Sequence, residues 1–410
     1  MGCGKVTKDQ SDYFREKRIW SKTKDSLLCC YLTPFFEKTY GYSQDGYVYV
    51  DAFAGAGVFD NGEEGSPIIA IKKLLAAAHK RSNKCCAQFI FGEANAGART
   101  KLKDAVYKAC GNVNYLCSPI LCNSFEEAIE AAQTASPRPS KKPATVFYYV
   151  DPYGVKDLRL DLFCRSPNFA HTEALVNFNT VGFMRDGAAA LRIALELPAD
   201  VSVVDHGFDD NVPMTERILR LNDCIGSDDW QDILTQHGLD YWERERLIGQ
   251  LFCRNARRSF QYVTNMPIKD MARMVNRGGE IKYRLVHMTN NVDGCLLMND
   301  NMLKRNNNEQ VQQGALFKVD IDQCVVNISS IKFFLEEYIA DLPLGKSFNM
   351  GVFAAAIVNE YGVFDTTNAL LKTYLGPLLD NGLLVRDEPY TPKTHKPKKS
   401  FGKKDKVHRV

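Results

Sequence analysis

Three acidic residues of this chain each follow a short apolar run, a spacing that could gather three carboxylates around one ligand. Asp51, Glu93 and Asp151 come directly after the runs 47–50, 87–92 and 145–150. Runs of this length that are rich in Val, Ile, Phe and Tyr are typical of buried parallel strands. Parallel strands end at one edge of their sheet, and ligands of doubly wound folds bind outside that edge. The sequence therefore predicts a binding site at which these acids meet.

A glycine-rich turn follows the first of these acids. Gly55 and Gly57 lie two residues apart, and Ser66-Pro67 then opens a helical pattern with Ser as N-cap and Pro at the first helical position. Glycine lets the backbone turn tightly and approach a ligand closely. Position 60 is Asp, so the dinucleotide pattern G-x-G-x-x-G is absent. An acid directly after the strand suits a ligand with a cationic, amino-bearing end, such as S-adenosylmethionine. An ordinary glycine-rich turn is the alternative.

The predicted cofactor contacts follow from the position of each residue in this corner. The methionine end is assigned to Asp51 and to the backbone of Gly55 and Gly57, and Phe53 of the same turn is a further predicted cofactor contact. Glu93 follows the second strand, where an acid can accept hydrogen bonds from the ribose hydroxyls. Asn123-Ser124 precedes two acids, which is typical of a helix start, and one of this pair is expected to contact the adenine. A solvated carboxylate at a strand end is the alternative for Glu93.

Length and composition limit the class of protein. The 410 residues are more than one domain usually holds, so we expect two domains. The chain has no run of eighteen apolar residues and no apolar region near its N-terminus, which argues against a transmembrane helix and a secretory signal. The 13 cysteines include no C-x-x-C pair, which favours a reduced cytoplasmic protein over a disulfide scaffold or a zinc site.

Basic residues are concentrated in two segments, although the net charge is only +3. The last twenty residues hold eight Lys or Arg and one Asp, and we expect this tail to be disordered. Residues 251–290 hold eight more, interleaved with Phe260 and Tyr262, a pattern that suits phosphate contact and base stacking. The candidate nucleic-acid contacts are Arg254, Arg257, Arg258, Lys269, Arg273 and Arg277. A solvated helix and loop surface is the alternative.

The order of the patterned segments predicts an α/β fold. Residues 1–300 fit a Rossmann-like domain with a doubly wound, mostly parallel sheet. A helical insertion is expected at about 187–280. The strand patterns at 283–288 and 294–298 flank Asn290-Asn291 and predict a terminal antiparallel hairpin.

The remaining residues predict a second, smaller domain. Residues 301–326 are polar and are expected to form a linker. Helical patterns follow at 329–339, 351–360 and 366–380, and a short strand follows Asn381-Gly382. Three helices that lead into a hairpin are the outline of a winged helix, which we predict for residues 327–390, with the basic tail at 391–410. Such modules bind nucleic acid or pack against partner proteins.

The chain resembles the three-Cys-motif partner protein family. The resemblance is carried by FREKRIWS at 14–21, LTPFF at 32–36, DAFAGAG at 51–57, GSP at 65–67 and DPYG at 151–154, and it extends over most of residues 12–390. This family is similar to class I S-adenosylmethionine-dependent methyltransferases, and its glycine turn is similar to that of bacterial ribosomal-RNA adenine-N6 methyltransferases. The resemblance implies S-adenosylmethionine as the cofactor, a nucleic-acid substrate, and a protein with a three-cysteine motif as a partner.

The same resemblance implies catalytic roles for Asp151, Pro152 and Tyr153. Amino-methyltransferases carry Asp or Asn, two prolines and an aromatic residue. The acid or amide and a proline carbonyl accept the protons of the target amine, and the ring stacks on the base. Here Asp151-Pro152-Tyr153-Gly154 departs from that pattern by one proline. The resemblance therefore implies methyl transfer to an exocyclic amine of a nucleic-acid base, which must be flipped if it lies in a duplex.

The sequence supports the alternatives to this function to different degrees. A methyltransferase-like domain can bind nucleic acid or a partner without transferring a methyl group, with the winged helix as the contact. A nicotinamide enzyme is disfavoured by Asp60 and by the absent G-x-G-x-x-G. The chain contains no Pro-Cys dipeptide, which argues against cytosine-C5 methylation through a cysteine nucleophile.

Overall fold

The computed structural model describes residues 19–39, 46–80, 86–135, 145–155, 157–164, 169, 171–195, 212–270, 280–312, 328–389 and 402–410. Contacts within the chain divide it into two units, Met1–Leu251 and Phe252–Val410.

In the first unit, strands alternate with helices along the chain, which is the order expected for an α/β fold. The strands are β1 Tyr47–Asp51, β2 Ala87–Gly92, β3 Ile120–Cys122, β4 Thr145–Val150 and β5 His171–Phe178. Helix α1 Ile19–Thr39 precedes β1. The helices between the strands are α2 Ser66–His79, α3 Ala96–Cys110, α4 Phe125–Thr134 and α5 Leu160–Cys164. After β5 come α6 Thr180–Leu191, α7 Met214–Ile225, α8 Trp230–Thr235 and α9 Tyr241–Ala256.

The five strands of the first unit are parallel and lie in the order β3-β2-β1-β4-β5. β1 pairs with β2 on one side and with β4 on the other, so the strand order reverses between β1 and β4. In a doubly wound sheet, the crevice outside the carboxyl ends of two such strands is where ligands bind. Asp51 is the last residue of β1, and Asp151 follows β4 directly.

The central strands β1, β2 and β4 are buried along their whole length. Strands that are covered on both faces have continuous apolar sequences instead of alternating ones, which accounts for the runs seen in the sequence. On one face, the rings of Tyr49 and Phe147 stack with centroids 6.1 Å apart. Tyr31 and Phe35 of α1 pack against the same Phe147 ring, so α1 covers this face of the sheet.

The second unit contains an antiparallel pair of strands, β6 Tyr262–Asp270 and β7 Glu280–Thr289. Then follow α10 Val292–Gln312, α11 Ile328–Ala340, β8 Ser347–Asn349, α12 Met350–Tyr361, α13 Thr367–Leu370, a π-helical turn Leu371–Leu375, α14 Gly376–Asp380, β9 Leu384–Arg386 and β10 Lys406–Arg409. The strands β8, β10 and β9 form a separate antiparallel sheet. The hydrophobic core of the second unit includes Ile331, Phe353, Leu375 and Val407.

The predicted terminal hairpin is wrong in its position. The antiparallel pair is β6 with β7, because the residues that follow Asn291 form α10 instead of a second strand. The Asn291 side chain accepts a hydrogen bond from the backbone N–H of Gly294 at 3.0 Å, so this asparagine caps a helix.

Three further boundaries differ from the predicted ones. α10 extends through residues 301–312, which we expected to be linker. The expected helical insertion at about 187–280 is helical only as far as α9 and then contains β6. The expected disordered tail contains β10, whose Val407 is fully buried.

The part of the chain that the structure describes contains no helix that is long and apolar enough to cross a membrane. Its cysteines are free, and its His, Cys, Asp and Glu residues form no cluster that could hold a metal ion.

Candidate active site at the carboxyl ends of the parallel strands

A pocket of about 570 Å³ lies where β1, β2 and β4 end. Of the predicted site residues, the pocket wall includes Phe53, Gly55, Gly57, Glu93, Ser124, Asp151 and Tyr153. Asp51, Asn123 and Pro152 do not contribute to the wall. The fold thus brings together most of the predicted catalytic and cofactor-binding residues, although they come from four separate loops.

The glycine turn after β1 requires glycine at two positions. Gly55 and Gly57 have φ angles of 61° and 75°, in the left-handed region that side chains rarely adopt. A Cβ atom on Gly57 would also lie 3.0 Å from Cδ1 of Leu102. The turn is closed by a hydrogen bond from the Gly65 N–H to the Gly57 carbonyl at 2.8 Å. The pocket floor is therefore backbone held in a fixed conformation.

Gly92, the last residue of β2, is a functional position that the sequence reading missed. Its carbonyl accepts a hydrogen bond from the Ala54 N–H at 2.7 Å, which ties the glycine turn to the neighbouring strand. A Cβ atom on Gly92 would lie 2.5 Å from the carbonyl oxygen of Ala52. The available signal was a glycine directly before the acid Glu93, where the chains of two loops must approach closely.

Asp51 lies beneath the pocket and is fully buried. Ser66 donates a hydrogen bond from Oγ to Asp51 Oδ2 at 2.5 Å, and the Phe53 N–H donates to Oδ1 at 3.4 Å. Ser66 was expected to be the N-cap of α2, but that position is Gly65, and the serine hydroxyl instead binds Asp51. Burial raises the pKa of Asp51 to about 7, against the lowering effect of Ser66, and the nearby Asp151 raises it further.

Glu93 is fixed on the pocket wall by its neighbours. Its Oε1 accepts a hydrogen bond from the Asn95 N–H at 2.7 Å, and its backbone carbonyl accepts one from Arg99 at 2.6 Å. Because a carboxylate has two oxygens, the bond to Asn95 leaves the second oxygen available for a ligand hydroxyl. The Glu93 position is therefore compatible with the predicted ribose contact.

Asn123 and Ser124 form a capping box at the start of α4. Ser124 Oγ accepts from the Glu127 N–H at 3.1 Å, while Glu127 Oε2 accepts from the backbone and side-chain nitrogens of Asn123 at 2.8 and 3.0 Å. These side chains are thus engaged in helix capping. A residue that was not predicted, Phe125, lines the pocket and stacks on Phe53 with ring centroids 5.5 Å apart and an interplanar angle of 14°. This pair offers an apolar surface beside the capping box.

Asp151 binds a lysine that the sequence analysis does not select as a site residue. Lys24 of α1 is buried, and its Nζ donates to Oδ1 and Oδ2 of Asp151 at 2.8 and 2.6 Å. Asn177, near the end of β5, donates to Oδ1 at 2.6 Å. Tyr153 is 45% exposed at the pocket, whereas Pro152 is buried. The carboxylate is therefore held by an ammonium and an amide beside an accessible ring.

The predicted nucleic-acid contacts differ in their exposure and in their hydrogen bonds. Arg254 and Arg258 are exposed. Arg257 instead donates hydrogen bonds to the side chain and the backbone carbonyl of Asn359 in α12, and so has a structural contact within the unit. The Lys269 side chain and the residues Arg273 and Arg277 lie outside the described part of the chain.

Comparison with known proteins gives no assignment. No family model and no curated protein matches the chain. Similar solved structures include protein LPL1258 from Legionella pneumophila, described by the family model DUF519, with 9% identity, a TM-score of 0.33, and 65% of this chain and 85% of that chain covered. They also include Trm1 from Pyrococcus horikoshii in complex with S-adenosyl-L-methionine, with 10% identity, a TM-score of 0.33, and 68% of this chain and 57% of that chain covered. Likeness at this level carries no argument about this chain. The resemblance to the three-Cys-motif partner family therefore stays a prediction.

Proposed function

We propose that the first unit binds S-adenosylmethionine and transfers its methyl group to an amine. The observation that carries this proposal is the position of the pocket. It lies where the strand order reverses between β1 and β4, above a turn that needs glycine at positions 55 and 57. A backbone-lined floor admits a ligand that must lie close to the main chain. The volume of about 570 Å³ is in the range of small-molecule and cofactor sites.

Each part of the cofactor has a matching surface in the pocket. Glu93 would accept hydrogen bonds from the ribose hydroxyls, as acids at this position do in related folds. The stacked rings of Phe53 and Phe125 would cover the adenine, and the backbone around Gly55 and Gly57 would hold the methionine end. Asp51 lies below this end, where its negative form would favour the sulfonium and ammonium charges of the ligand.

Asp151, Asn177 and Tyr153 form the proposed acceptor side. A carboxylate and a ring at one wall can orient an amine nitrogen towards the methyl carbon, and positioning of this kind supplies most of the rate in a direct in-line transfer. The prediction that the amine belongs to a nucleic-acid base rests on the resemblance of the Asp151-Pro152-Tyr153 motif. Residues 328–389 and 402–410 support a companion proposal, a winged helix that contacts nucleic acid, through their order of helices and their three-stranded sheet.

Glu93→Gln tests the cofactor proposal. The substitution keeps the shape of the side chain but removes the charge that the ribose hydroxyls would meet. We expect calorimetry to show S-adenosylmethionine binding that is weaker by about 1–3 kcal/mol, the range for a lost charged hydrogen bond. Asp60→Asn is the control, because Asp60 is an exposed acid near the turn that does not line the pocket. Equal affinity in both variants would exclude Glu93 from the ribose site.

A second candidate function is binding without methyl transfer. It is favoured by the Lys24 ammonium, which contacts both oxygens of the Asp151 carboxylate that an acceptor amine would need. Calorimetry and a tritium-transfer assay on the same preparation separate the two functions. Tight binding of S-adenosylmethionine with no transfer to nucleic acids, peptides or small amines would favour the binding protein.

A further inference from the structure

The acceptor side of the pocket already holds an alkylammonium group. Lys24 Nζ lies 2.6 and 2.8 Å from the two oxygens of Asp151, and Asn177 Nδ2 lies 2.6 Å from Oδ1. Both Lys24 and Asp151 line the pocket, and their side chains are 7% and 22% exposed. A lysine side chain therefore shows which chemical group this carboxylate accepts: a primary ammonium on an aliphatic stem.

The described wall of the pocket is strongly acidic. It contains one cation, Lys24, and five acids, Asp25, Glu93, Glu126, Asp151 and Asp157. A cleft lined by one sign of charge attracts ligands of the opposite sign and repels those of the same sign. A phosphate backbone would thus meet repulsion at this mouth, whereas a cationic molecule would be attracted to it.

A smaller pocket of about 240 Å³, lined by three acids and two arginines, adjoins this acidic wall. It shares Glu126 and Asp157 with the main pocket and adds Asp223, Arg159 and Arg220. Its two arginines are paired with acids, since Arg159 Nη2 lies 3.4 Å from Asp223 Oδ2 and Arg220 Nη2 lies 2.6 Å from Glu216 Oε1. The shared acids Glu126 and Asp157 therefore connect the acceptor side to a second space that can take the rest of a cationic acceptor.

We propose that the methyl acceptor is an aliphatic primary amine on a cationic molecule, such as a lysine side chain or a polyamine, and that Lys24 occupies the acceptor position until this amine displaces it. This inference rests on the proposed function of the first unit. It assigns the substrate class from the Asp151–Lys24 contact and from the charge of the pocket wall. It differs from the nucleic-acid base that the sequence motif implies.

The transfer step balances with the residues present and with S-adenosylmethionine as the donor. The entering ammonium gives one proton to the Asp151 carboxylate, and the freed nitrogen lone pair attacks the methyl carbon. The new N–C bond forms as the C–S bond breaks, and the electrons of that bond stay on sulfur. The sulfonium becomes the thioether S-adenosylhomocysteine, the amine becomes a methylated ammonium, and Asp151 returns its proton to water.

A transfer assay with methyl-tritiated S-adenosylmethionine compares acceptor classes on the full chain. The probes are spermidine, a lysine-rich peptide, and random-sequence RNA and DNA. We expect label in spermidine or in the peptide, at least tenfold above the nucleic acids, and the better of the two identifies the source of the amine. Label mainly in nucleic acid overturns the inference. So does no label in any probe while calorimetry shows bound cofactor. Absence of cofactor binding would instead overturn the proposed function.

Lys24→Met tests the displacement directly. Removal of the internal competitor should lower the KM for the amine about fivefold, while Lys22→Met, an exposed lysine two residues earlier on α1, should leave it unchanged. A purely structural Lys24 would change the melting temperature and kcat without lowering the KM.

Neutral variants of Glu126 and Asp157, the acids that line both pockets, provide a second test that does not depend on the folding of Lys24→Met. Asp157→Asn and Glu126→Gln should each raise the KM for the amine about fivefold, the factor expected for one nearby charge in a high-dielectric setting. An unchanged KM in both variants would overturn the inference.

Discussion

The buried carboxyl of Asp51 couples the stability of the first unit to pH. Burial raises its pKa from 3.8 to about 7 in the folded protein. Between these values the unfolded chain releases the proton while the folded chain keeps it, so stability falls as the pH rises from about 4 to about 7. A shift of this size corresponds to a free-energy change on the order of 4 kcal/mol. A cationic ligand above Asp51 would favour the ionised form and reverse part of this loss.

Asp51→Asn should remove this dependence on pH. The amide keeps an oxygen for the Ser66 hydroxyl but cannot ionise. We expect the difference in melting temperature, variant minus parent, to increase as the pH rises from 4.5 to 7.5. Ser66→Ala is the matched control, because loss of its hydrogen bond raises the Asp51 pKa further and should extend the fall in stability to higher pH. A constant difference between Asp51→Asn and parent would contradict the assigned pKa.

The contact between Asp151 and Lys24 gives Asp151 a role in stability as well as the proposed role in catalysis, and substitutions can distinguish the two. Asp151→Asn alone leaves the buried Lys24 ammonium without its counter-charge, which destabilises a fold whatever the catalytic role. We therefore expect Asp151→Asn to lower the melting temperature, and Asp151→Asn combined with Lys24→Met to recover it. Methyl transfer should be lost in both, with S-adenosylmethionine affinity within about tenfold of the parent. Transfer that returns in the double variant would make Asp151 a folding residue only.

At the scale of elements, the central strands and the turn after β1 could be predicted because their signals are local. β1, β2 and β4 are buried on both faces, so their sequences are apolar throughout, and glycine marks the positive φ angles. The start of α10 differs from the predicted strand because asparagine is favoured both in turns and at helix N-caps. Asn291 caps a helix here, and only the residues that follow it distinguish the two cases.

The role of Lys24 could not be predicted from its neighbours in the chain. Its helix carries several cations, and a run of cations usually lies on a solvated face. The partner, Asp151, is 127 residues away, and only the packing of α1 over the sheet brings the two together. Phe125 was missed for a related reason, since its stacking partner Phe53 lies in another loop.

The contact between β2 and the glycine turn predicts the effect of Gly92→Ala. The added Cβ would meet the Ala52 carbonyl at 2.5 Å, and the backbone must shift because neither atom can rotate away. We expect a loss of stability of about 1–3 kcal/mol and weaker cofactor binding, since the turn that moves is the pocket floor. Gly62→Ala is the control: its φ of 85° is strained, but nothing lies within 4 Å of the new Cβ. That variant should lose stability and keep its affinity for S-adenosylmethionine.

At the scale of the whole chain, residues 402–410 at the C-terminus are part of the folded second unit. β10 is the central strand of the small sheet, between β8 and β9, and its Val407 is buried in the core of the second unit. A truncation at residue 391 would remove this strand, so a loss of nucleic-acid binding in that variant would report unfolding instead of lost charge. A test of nucleic-acid binding therefore requires substitutions that leave the core of the second unit intact.

Arg254 and Arg257 offer such a test within one segment. Arg254 is exposed, whereas Arg257 is bonded to Asn359 of α12. If Arg254 and the exposed Arg258 contact phosphates, replacing either by Gln should reduce the slope of log affinity against log salt by about 0.9 on duplex DNA, since each lost contact releases one fewer counterion. Arg257→Gln should lower the melting temperature and leave the slope unchanged. Fluorescence anisotropy at several salt concentrations measures the slopes. Equal slopes for all three variants and the parent would remove these arginines from any nucleic-acid surface.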